Sequence, residues 1–326
     1  MAAKEKAFVG GFKGMLEKFI QQKRNLGYKY DGYRDILRRF SEYTLHYRVE
    51  SNCLSKELVL GWTAKRKNES VGTWKHRASA LRQFALFLQD CGYDSFIPPR
   101  DSKARRGEYI PYIFTHEKMN CFFQAVDSIR PHHSSNKHES FPLLFRLLYC
   151  CGLRISEACR LRISDVDLKN GVLFIRGKFN KDRLVPLSTP LARMFIKFHA
   201  FSNKNNSPED YYFRNKKGTP LTRKWVYAVY RKLLWKAGIS HGGKGKGPRL
   251  HDLRHTFCVH TVARQVKDGV DLYTALPILA AYVGHNSVGA TQHYVRLTAE
   301  AYPELIEKIS RTCAFVFPEV AVYETN

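Results

Sequence analysis

The last quarter of the chain carries an ordered set of side chains that could perform phosphodiester chemistry: His251, Arg254, His285 and Tyr294. A phosphodiester is negatively charged and repels nucleophiles, so its cleavage needs cations on the phosphoryl oxygens and a placed nucleophile. Arg254 follows His251 by three residues, so on a helix the two side chains share one face. Guanidinium, imidazole and phenol groups together could supply the cation, the proton transfer and the nucleophile.

A second arginine with a carboxylate companion lies far upstream. Arg154 stands in the segment from Gly152 to Glu157, and Glu157 follows it by three residues. Two guanidiniums can each form paired hydrogen bonds with phosphate oxygens, a geometry that lysine cannot provide. We therefore predict that Arg154 and Arg254 clamp the phosphate. Glu157 could orient the Arg154 guanidinium or a neighbouring histidine, or it could form only an intrahelical salt bridge.

The tyrosine needs help to act as a nucleophile. A tyrosine hydroxyl has a reference pKa of about 10, so near neutrality it requires a base or adjacent cations. His251 is the natural proton acceptor or phosphate donor, and His285 is a second hydrogen-bond donor to the phosphoryl oxygens. His255 and His293 adjoin these residues in sequence, but we expect them to point elsewhere on their helices and exclude them from the site.

Taken in order, these residues resemble the tyrosine site-specific recombinase (phage integrase) family, of the type found in mobile elements. The resemblance spans roughly residues 109 to 300. It implies six catalytic residues: Arg154, Lys178, His251, Arg254, His285 and Tyr294. Glu157 would have a supporting role. It further implies a 3′-phosphotyrosine intermediate with a free 5′-hydroxyl, a Holliday junction, and no requirement for a cofactor, a metal or ATP.

The lysine assignment depends on this resemblance. The family carries its lysine on a β-hairpin, and strand patterns at 171–176 and 183–187 place Lys178 in the turn between them. Lys178 would protonate the departing 5′ oxygen. Phe179 stands where the family often has glycine, and Lys181 is a nearby alternative.

The charge balance points to a polyanionic partner, since 54 Lys and Arg residues against 29 Asp and Glu residues give a net charge of +25. The excess is spread over both halves of the chain, which suggests two basic regions that grip a DNA duplex from both sides. No apolar run approaches the length of a membrane span. The 8 cysteines form no Cys-x-x-Cys pair, which predicts reduced, buried thiols and a cytoplasmic location.

Apolar spacing predicts a mainly α fold with a small β-sheet, and the resemblance implies the two-domain architecture of tyrosine recombinases. Residues 1–98 are expected to form a helical core-binding domain. Its four helices are predicted near 11–27 and from Asp31, Ser55 and Ser70 onward. A basic linker at 99–108 would lead to a catalytic domain at 109–326. Its helices are expected in seven places: around 115–129, 140–151, 189–201, 222–237, from His251, 272–283 and 288–298.

The resemblance also implies an assembly: a C-shaped clamp on duplex DNA and a homo-tetramer on two synapsed sites, with the apolar C-terminal tail as the oligomerisation element. Three alternatives remain open. A chromosome or plasmid dimer resolvase uses the same chemistry, and a type IB topoisomerase uses nearly the same residues as a monomer without site choice. A DNA-binding regulator with an inactive site is the third.

Overall fold

The computed structural model describes residues 6–47, 49, 52–99, 110–133, 135–177, 182–243, 247–284, 294 and 297. The chain divides into two compact units, Met1–Tyr109 and Ile110–Asn326. Among the described residues, no helix has both the length and the apolar character that crossing a bilayer requires.

The first unit consists of helices. They are α1 (Lys13–Asn25), α2 (Asp31–Tyr43), α3 (Lys56–Thr63) and α4 (Val71–Asp90), with a 3₁₀ turn after α2 at Thr44–His46. The predicted starts of α3 and α4 are confirmed, because the hydroxyls of Ser55 and Ser70 accept hydrogen bonds from the backbone N–H groups of Leu58 and Thr73. A serine cap satisfies a donor that the first helical turn would otherwise leave unpaired.

Aromatic rings fill the core of the first unit. Phe12, Phe19, Phe40 and Phe84 are fully buried, and the rings of Phe12 and Phe84 meet edge to face at 5.9 Å. Phe12 directly precedes α1, and the other three residues lie on α1, α2 and α4, so the apolar stripes that predict the helices also join them into one core.

The second unit is helical around one small sheet. Its helices are α5 (His116–Asp127), α6 (Lys137–Cys150), α7 (Ile155–Arg160), α8 (Thr189–Phe198), α9 (Arg223–Lys236), α10 (Asp252–Lys267) and α11 (Leu272–Val283). The strands β1 (Val166–Asp167), β2 (Val172–Ile175) and β3 (Arg183–Pro186) form an antiparallel sheet in that order. Leu173 of β2 pairs with Val185 of β3, and both are fully buried. The predicted fold class is confirmed.

Some boundaries and exposures differ from the predictions. Helix α6 begins at Lys137, three residues before the start predicted for the helix at 140–151, because the carbonyl of Asn136 already accepts the N–H groups of Glu139 and Ser140. The expectation that the cysteines are buried is wrong for three exposed residues: Cys91, Cys121 and Cys150. The helix predicted at 288–298 lies outside the described residues except for Tyr294 and Leu297, and the C-terminal tail lies outside them entirely.

Candidate active site

Gly152 brings the first arginine to its position. Its backbone has φ +58°, and a Cβ built there would lie 2.5 Å from a ring carbon of Phe257 on α10. Any side chain would therefore be strained and would collide with α10. This close approach lets the chain leave α6, turn, and place Arg154 in an extended conformation as the residue before α7.

Glu157 fixes Arg154 through its backbone and its side chain. The Arg154 N–H donates to Oε2 at 2.9 Å, and Nη1 donates to Oε1 at 2.8 Å. Arg183, on β3, donates to the same two oxygens at 3.0 and 3.3 Å. Burial alone would raise the pKa of Glu157, but the hydrogen bonds and charges of Arg183 and Arg154 outweigh it and hold the pKa below its ordinary value. Glu157 is therefore a carboxylate shared by two guanidiniums.

Arg183 was missed in the sequence. Its Nε donates to the carbonyl of Tyr282 near the end of α11 at 2.8 Å. A Cβ at Gly284, where φ is +68°, would lie 2.9 Å from the Arg183 guanidinium. Arg183 thus connects β3, the Glu157 carboxylate and the segment that leads to His285. The sequence pattern of the strand does not single out Arg183, because it is one of several polar residues there and its partners are distant in sequence.

Arg254 is almost completely buried, with 1 % of its surface exposed. Its Nη1 donates to the carbonyl of Gly152 at 2.7 Å and its Nη2 to the carbonyl of Val283 at 2.6 Å. Arg154 makes the matching contact from the other side, because its Nη2 donates to the carbonyl of Gly284 at 2.8 Å. Both predicted clamp arginines are therefore held against the same end of α11.

Charge and burial act together on these groups. Burial and the nearby charge of Arg154 lower the pKa of Arg254, but a guanidinium in a protein keeps its charge. His251, which precedes α10, is exposed to solvent on part of its surface, and protein atoms surround the rest of its imidazole. That burial, with the charges of Arg254 and Arg154, lowers the pKa of His251 to about 4. His251 is therefore neutral near neutral pH, able to accept or donate one proton.

Tyr294 packs in an apolar cluster with Cys258, Val259 and Val262 of α10, and 2 % of its surface is exposed. Burial raises the pKa of its hydroxyl, so the phenol is neutral in this environment. Its oxygen nevertheless lies 3.0 Å from Nδ1 of His255.

The expectation that His255 points elsewhere is wrong, because its ring lies next to Tyr294. Residues four apart on a helix share a face just as residues three apart do, so His255 follows His251 along the side of α10 that faces Tyr294. The two imidazole rings lie 4.8 Å apart and nearly perpendicular. The spacing that linked His251 with Arg254 could have identified His255 as well.

Two predicted residues lie outside the described residues: Lys178, with its alternative Lys181, and His285. Next to the first of these segments, the backbone N–H of Gly177 donates to Oδ1 of Asp182 at 2.8 Å. This contact closes the base of the turn between β2 and β3.

A groove of about 260 Å³ opens beside Arg154, and its lining includes Arg160, Arg162 and Arg176. Arg176 is paired with Asp165 at 2.9 Å, and Arg162 with Glu209. The described residues contain no group of three His, Cys, Asp or Glu side chains that could hold a metal ion. Four arginines line this groove against two carboxylates, Glu157 and Asp165, so the excess positive charge suits an anionic ligand.

Comparison with known proteins gives a consistent family. Residues 113–301 match the model of the phage integrase family. The tyrosine recombinase XerA of Pyrococcus horikoshii is 32% identical over 84% of this chain and 93% of its own length. The tyrosine recombinase XerC of Oceanobacillus iheyensis is 26% identical over 89% of this chain and 92% of its own length.

Solved structures agree with this assignment. The XerH site-specific recombinase bound to its difH substrate before cleavage matches with a TM-score of 0.59 and 25% identity, over 88% of this chain and 83% of that chain. The Tn1549 transposon integrase in complex with transposon right end DNA shares the fold, with a TM-score of 0.63 and 18% identity over 89% and 99% of the two chains. The chain belongs to the phage integrase family and is a tyrosine recombinase, an enzyme of site-specific DNA recombination.

Proposed function

We propose that this recombinase cuts and rejoins duplex DNA with Tyr294 as the nucleophile and Arg154 and Arg254 as the phosphate clamp. The observation that carries the proposal is the convergence of both guanidiniums on the end of α11, with the Tyr294 side chain next to Arg254 and to Cys258 of α10. Each guanidinium has five N–H donors, and the contacts to protein use only some of them. The rest can stabilise the charge that grows on the phosphoryl oxygens.

The proposed step exchanges one phosphoester for another. The oxygen of Tyr294 bonds to phosphorus while the bond from phosphorus to the 5′ oxygen breaks. His255, the imidazole within hydrogen-bond distance, takes the phenol proton, while His251 and His285 donate hydrogen bonds to the phosphate. Lys178, or Lys181 in its place, gives a proton to the 5′ oxygen. Because the phosphotyrosine keeps the bond energy, a 5′-hydroxyl of another strand can reverse the step without ATP.

The buried position of Tyr294 adds a requirement. With so little exposed surface, its oxygen can reach a phosphorus atom only if the tyrosine or its apolar neighbours move. We propose that this movement accompanies assembly of a homo-tetramer on two synapsed duplexes, which proceeds through a Holliday junction. The first 98 residues would bind the duplex as a core-binding domain, and residues 99–108 would link it to the catalytic domain.

The biological task we propose is integration, excision or transposition of a mobile element. This proposal is supported by the segment from Leu276 to His285, whose sequence resembles that of mobile-element integrases. A dimer resolvase with the same chemistry is the second candidate, favoured by the relatives of the Xer type. DNA next to the gene separates the two, because inverted repeats or attachment sites belong to a mobile element. Because a recombinase must reach its DNA substrate, we keep the predicted cytoplasmic location as part of this proposal.

The test is strand exchange on a plasmid that carries two copies of the DNA flanking the gene. We expect deletion or inversion of the intervening segment in the absence of ATP and in the presence of a chelator. Relaxation without exchange would identify a type IB topoisomerase, and binding without any covalent product would identify a regulator. Either result would contradict the proposal.

A further inference from the structure

The loop between α3 and α4 in the first unit is basic, and several hydrogen bonds hold it in place. Residues 64–68 are all exposed, and they include Lys65, Arg66 and Lys67 in succession. Exposed basic loops are normally free to move, so that holding them against a ligand costs conformational entropy. The contacts beneath this loop reduce that freedom before any ligand is present.

A buried ion pair ties together the two ends of the loop. Arg77 of α4 donates from Nε and Nη2 to the carboxylate of Glu69 at 2.9 and 2.6 Å, with only 6% and 7% of the two side chains exposed. Nη2 of Arg77 also donates to the carbonyl of Ala64 at 2.9 Å, where the loop begins. Glu69 in turn accepts the backbone N–H of Arg66 at 3.3 Å.

Aromatic contacts extend this support. The indole Nε1 of Trp74 donates to the carbonyl of Thr63 at 2.6 Å, which holds the end of α3 against α4. The guanidiniums of Arg66 and Arg77 lie 5.1 and 5.3 Å from the ring centre of Trp62. Arg66 is therefore positioned both at its backbone, by Glu69, and at its side chain, by a cation–π contact.

The loop borders a groove that is lined by more arginines than carboxylates. The groove has a volume of about 650 Å³ and lies against α2 and α4, and its arginines are Arg39, Arg66 and Arg77. Two carboxylates also line it, Asp35 and Glu69. Hydrogen bonds from Arg77 hold the pKa of Glu69 below its ordinary value, so this carboxylate is ionised and its charge is matched by Arg77.

We propose that residues 64–69 form a preorganised grip for the DNA backbone, in which Lys65, Arg66 and Lys67 contact phosphates and the Arg77–Glu69 pair positions them. The inference rests on the proposed function, which makes duplex DNA the ligand. Phosphate contacts of this kind set affinity and position without reading sequence. Their number is measurable, because each neutralised phosphate adds about 0.9 to the slope of log affinity against log salt concentration.

The first experiment measures binding of the full chain to a random-sequence duplex by fluorescence anisotropy over a range of salt concentrations. The variant Lys65→Gln/Arg66→Gln/Lys67→Gln should lower the salt slope by about 2 to 3, as expected for three lost phosphate contacts. The matched control Lys13→Gln/Lys18→Gln/Lys29→Gln removes the same charge from exposed positions outside residues 64–69 and should leave the slope unchanged. Equal slopes for the two variants would overturn the proposal.

The second experiment tests the positioning pair with all three basic residues still present. The double variant Arg77→Met/Glu69→Leu replaces a buried ion pair by apolar residues of similar size, a change that folded proteins often tolerate. We expect a helical, cooperatively folding protein, judged by circular dichroism, whose salt slope is lower by about 1 or more. A folded double variant with the wild-type slope would contradict the positioning role.

A third measurement separates this proposal from the proposed function. It is the formation of a covalent adduct between the wild-type protein and a nicked recombination site. Absence of the adduct in the wild-type protein would refute the proposed chemistry, whereas a loop-dependent salt slope in that same protein would still support the grip.

Discussion

The two units each contain a buried arginine–glutamate cluster, but the clusters are built differently. In the first unit, Arg77 and Glu69 bind each other and both are about 93% buried in their side chains, since 6% and 7% remain exposed. In the second unit, Glu157 is equally buried but is shared between Arg183 and Arg154, and Arg154 keeps 30% of its side chain exposed. A closed pair can only position its surroundings, whereas the shared carboxylate holds one arginine in place and leaves part of it available to a ligand.

The largest difference is expected in stability. Arg77→Met should lower the free energy of unfolding by about 3 to 5 kcal/mol, because it leaves Glu69 charged and unpaired in a buried position. Arg154→Met should cost only about 1 kcal/mol, because Arg183 still pairs with Glu157. Urea unfolding of the two variants measures both values, and equal losses would contradict the distinction between closed and shared clusters.

For the cleavage rate, substitution of Arg154 should have the larger effect and substitution of Arg77 the smaller one. Arg154→Lys keeps the charge but loses the paired geometry, so cleavage at saturating DNA should fall well over tenfold while affinity changes little. The matched control is Arg77→Lys, which should cleave at the wild-type rate once the DNA is saturating. A loss of binding with unchanged cleavage in Arg154→Lys would make Arg154 a residue that only positions the DNA.

The other partner of Glu157 should have a smaller effect. In Arg183→Gln, Glu157 retains Arg154 but the connection to Tyr282 is lost, and we expect cleavage to fall about tenfold with unchanged affinity. Arg183→Lys should recover part of the rate, because it restores a cation next to the carboxylate. Arg193→Gln, at an exposed position on α8, serves as the control. Wild-type cleavage by Arg183→Gln would show that Arg154 needs no support from β3.

Acid should weaken both clusters by the same mechanism. The folded-state pKa values of Glu69 and Glu157 are held below the ordinary value of 4.5, so each stabilising contribution is present above about pH 4.5 and disappears as the pH falls through the folded pKa. The wild-type protein should therefore lose its stability advantage over Glu69→Gln and over Glu157→Gln below pH 4.5. An advantage that persists at lower pH would mean that packing, and not charge, provides the stability.

Local sequence signals predicted the elements well. Helix α11 was expected at 272–283 and occupies Leu272–Val283, and Ser55 and Ser70 mark the starts of α3 and α4 because capping is a local interaction. The two arginines of the candidate clamp were found because their motifs are short and ordered. The structure places both of them at the end of α11.

What the sequence missed depends on contacts between distant segments. Arg183 meets Glu157 and Tyr282, which are 26 and 99 residues away, and no periodicity within a strand reports such partners. His255 was named but excluded, for a related reason. Its place on the helix was known, but the 3.0 Å contact between its ring and the oxygen of Tyr294 joins residues that are 39 positions apart.

The central claim is that Tyr294 becomes covalently joined to DNA, and capture of that adduct tests it most directly. The wild-type protein would be trapped on a nicked site defined by the strand-exchange assay, digested, and examined by mass spectrometry for the peptide that carries the nucleotide. We expect the nucleotide on Tyr294, and we expect Tyr294→Phe to bind the same DNA without forming any SDS-resistant complex. An adduct on another tyrosine, or an SDS-resistant complex with Tyr294→Phe, would contradict the account.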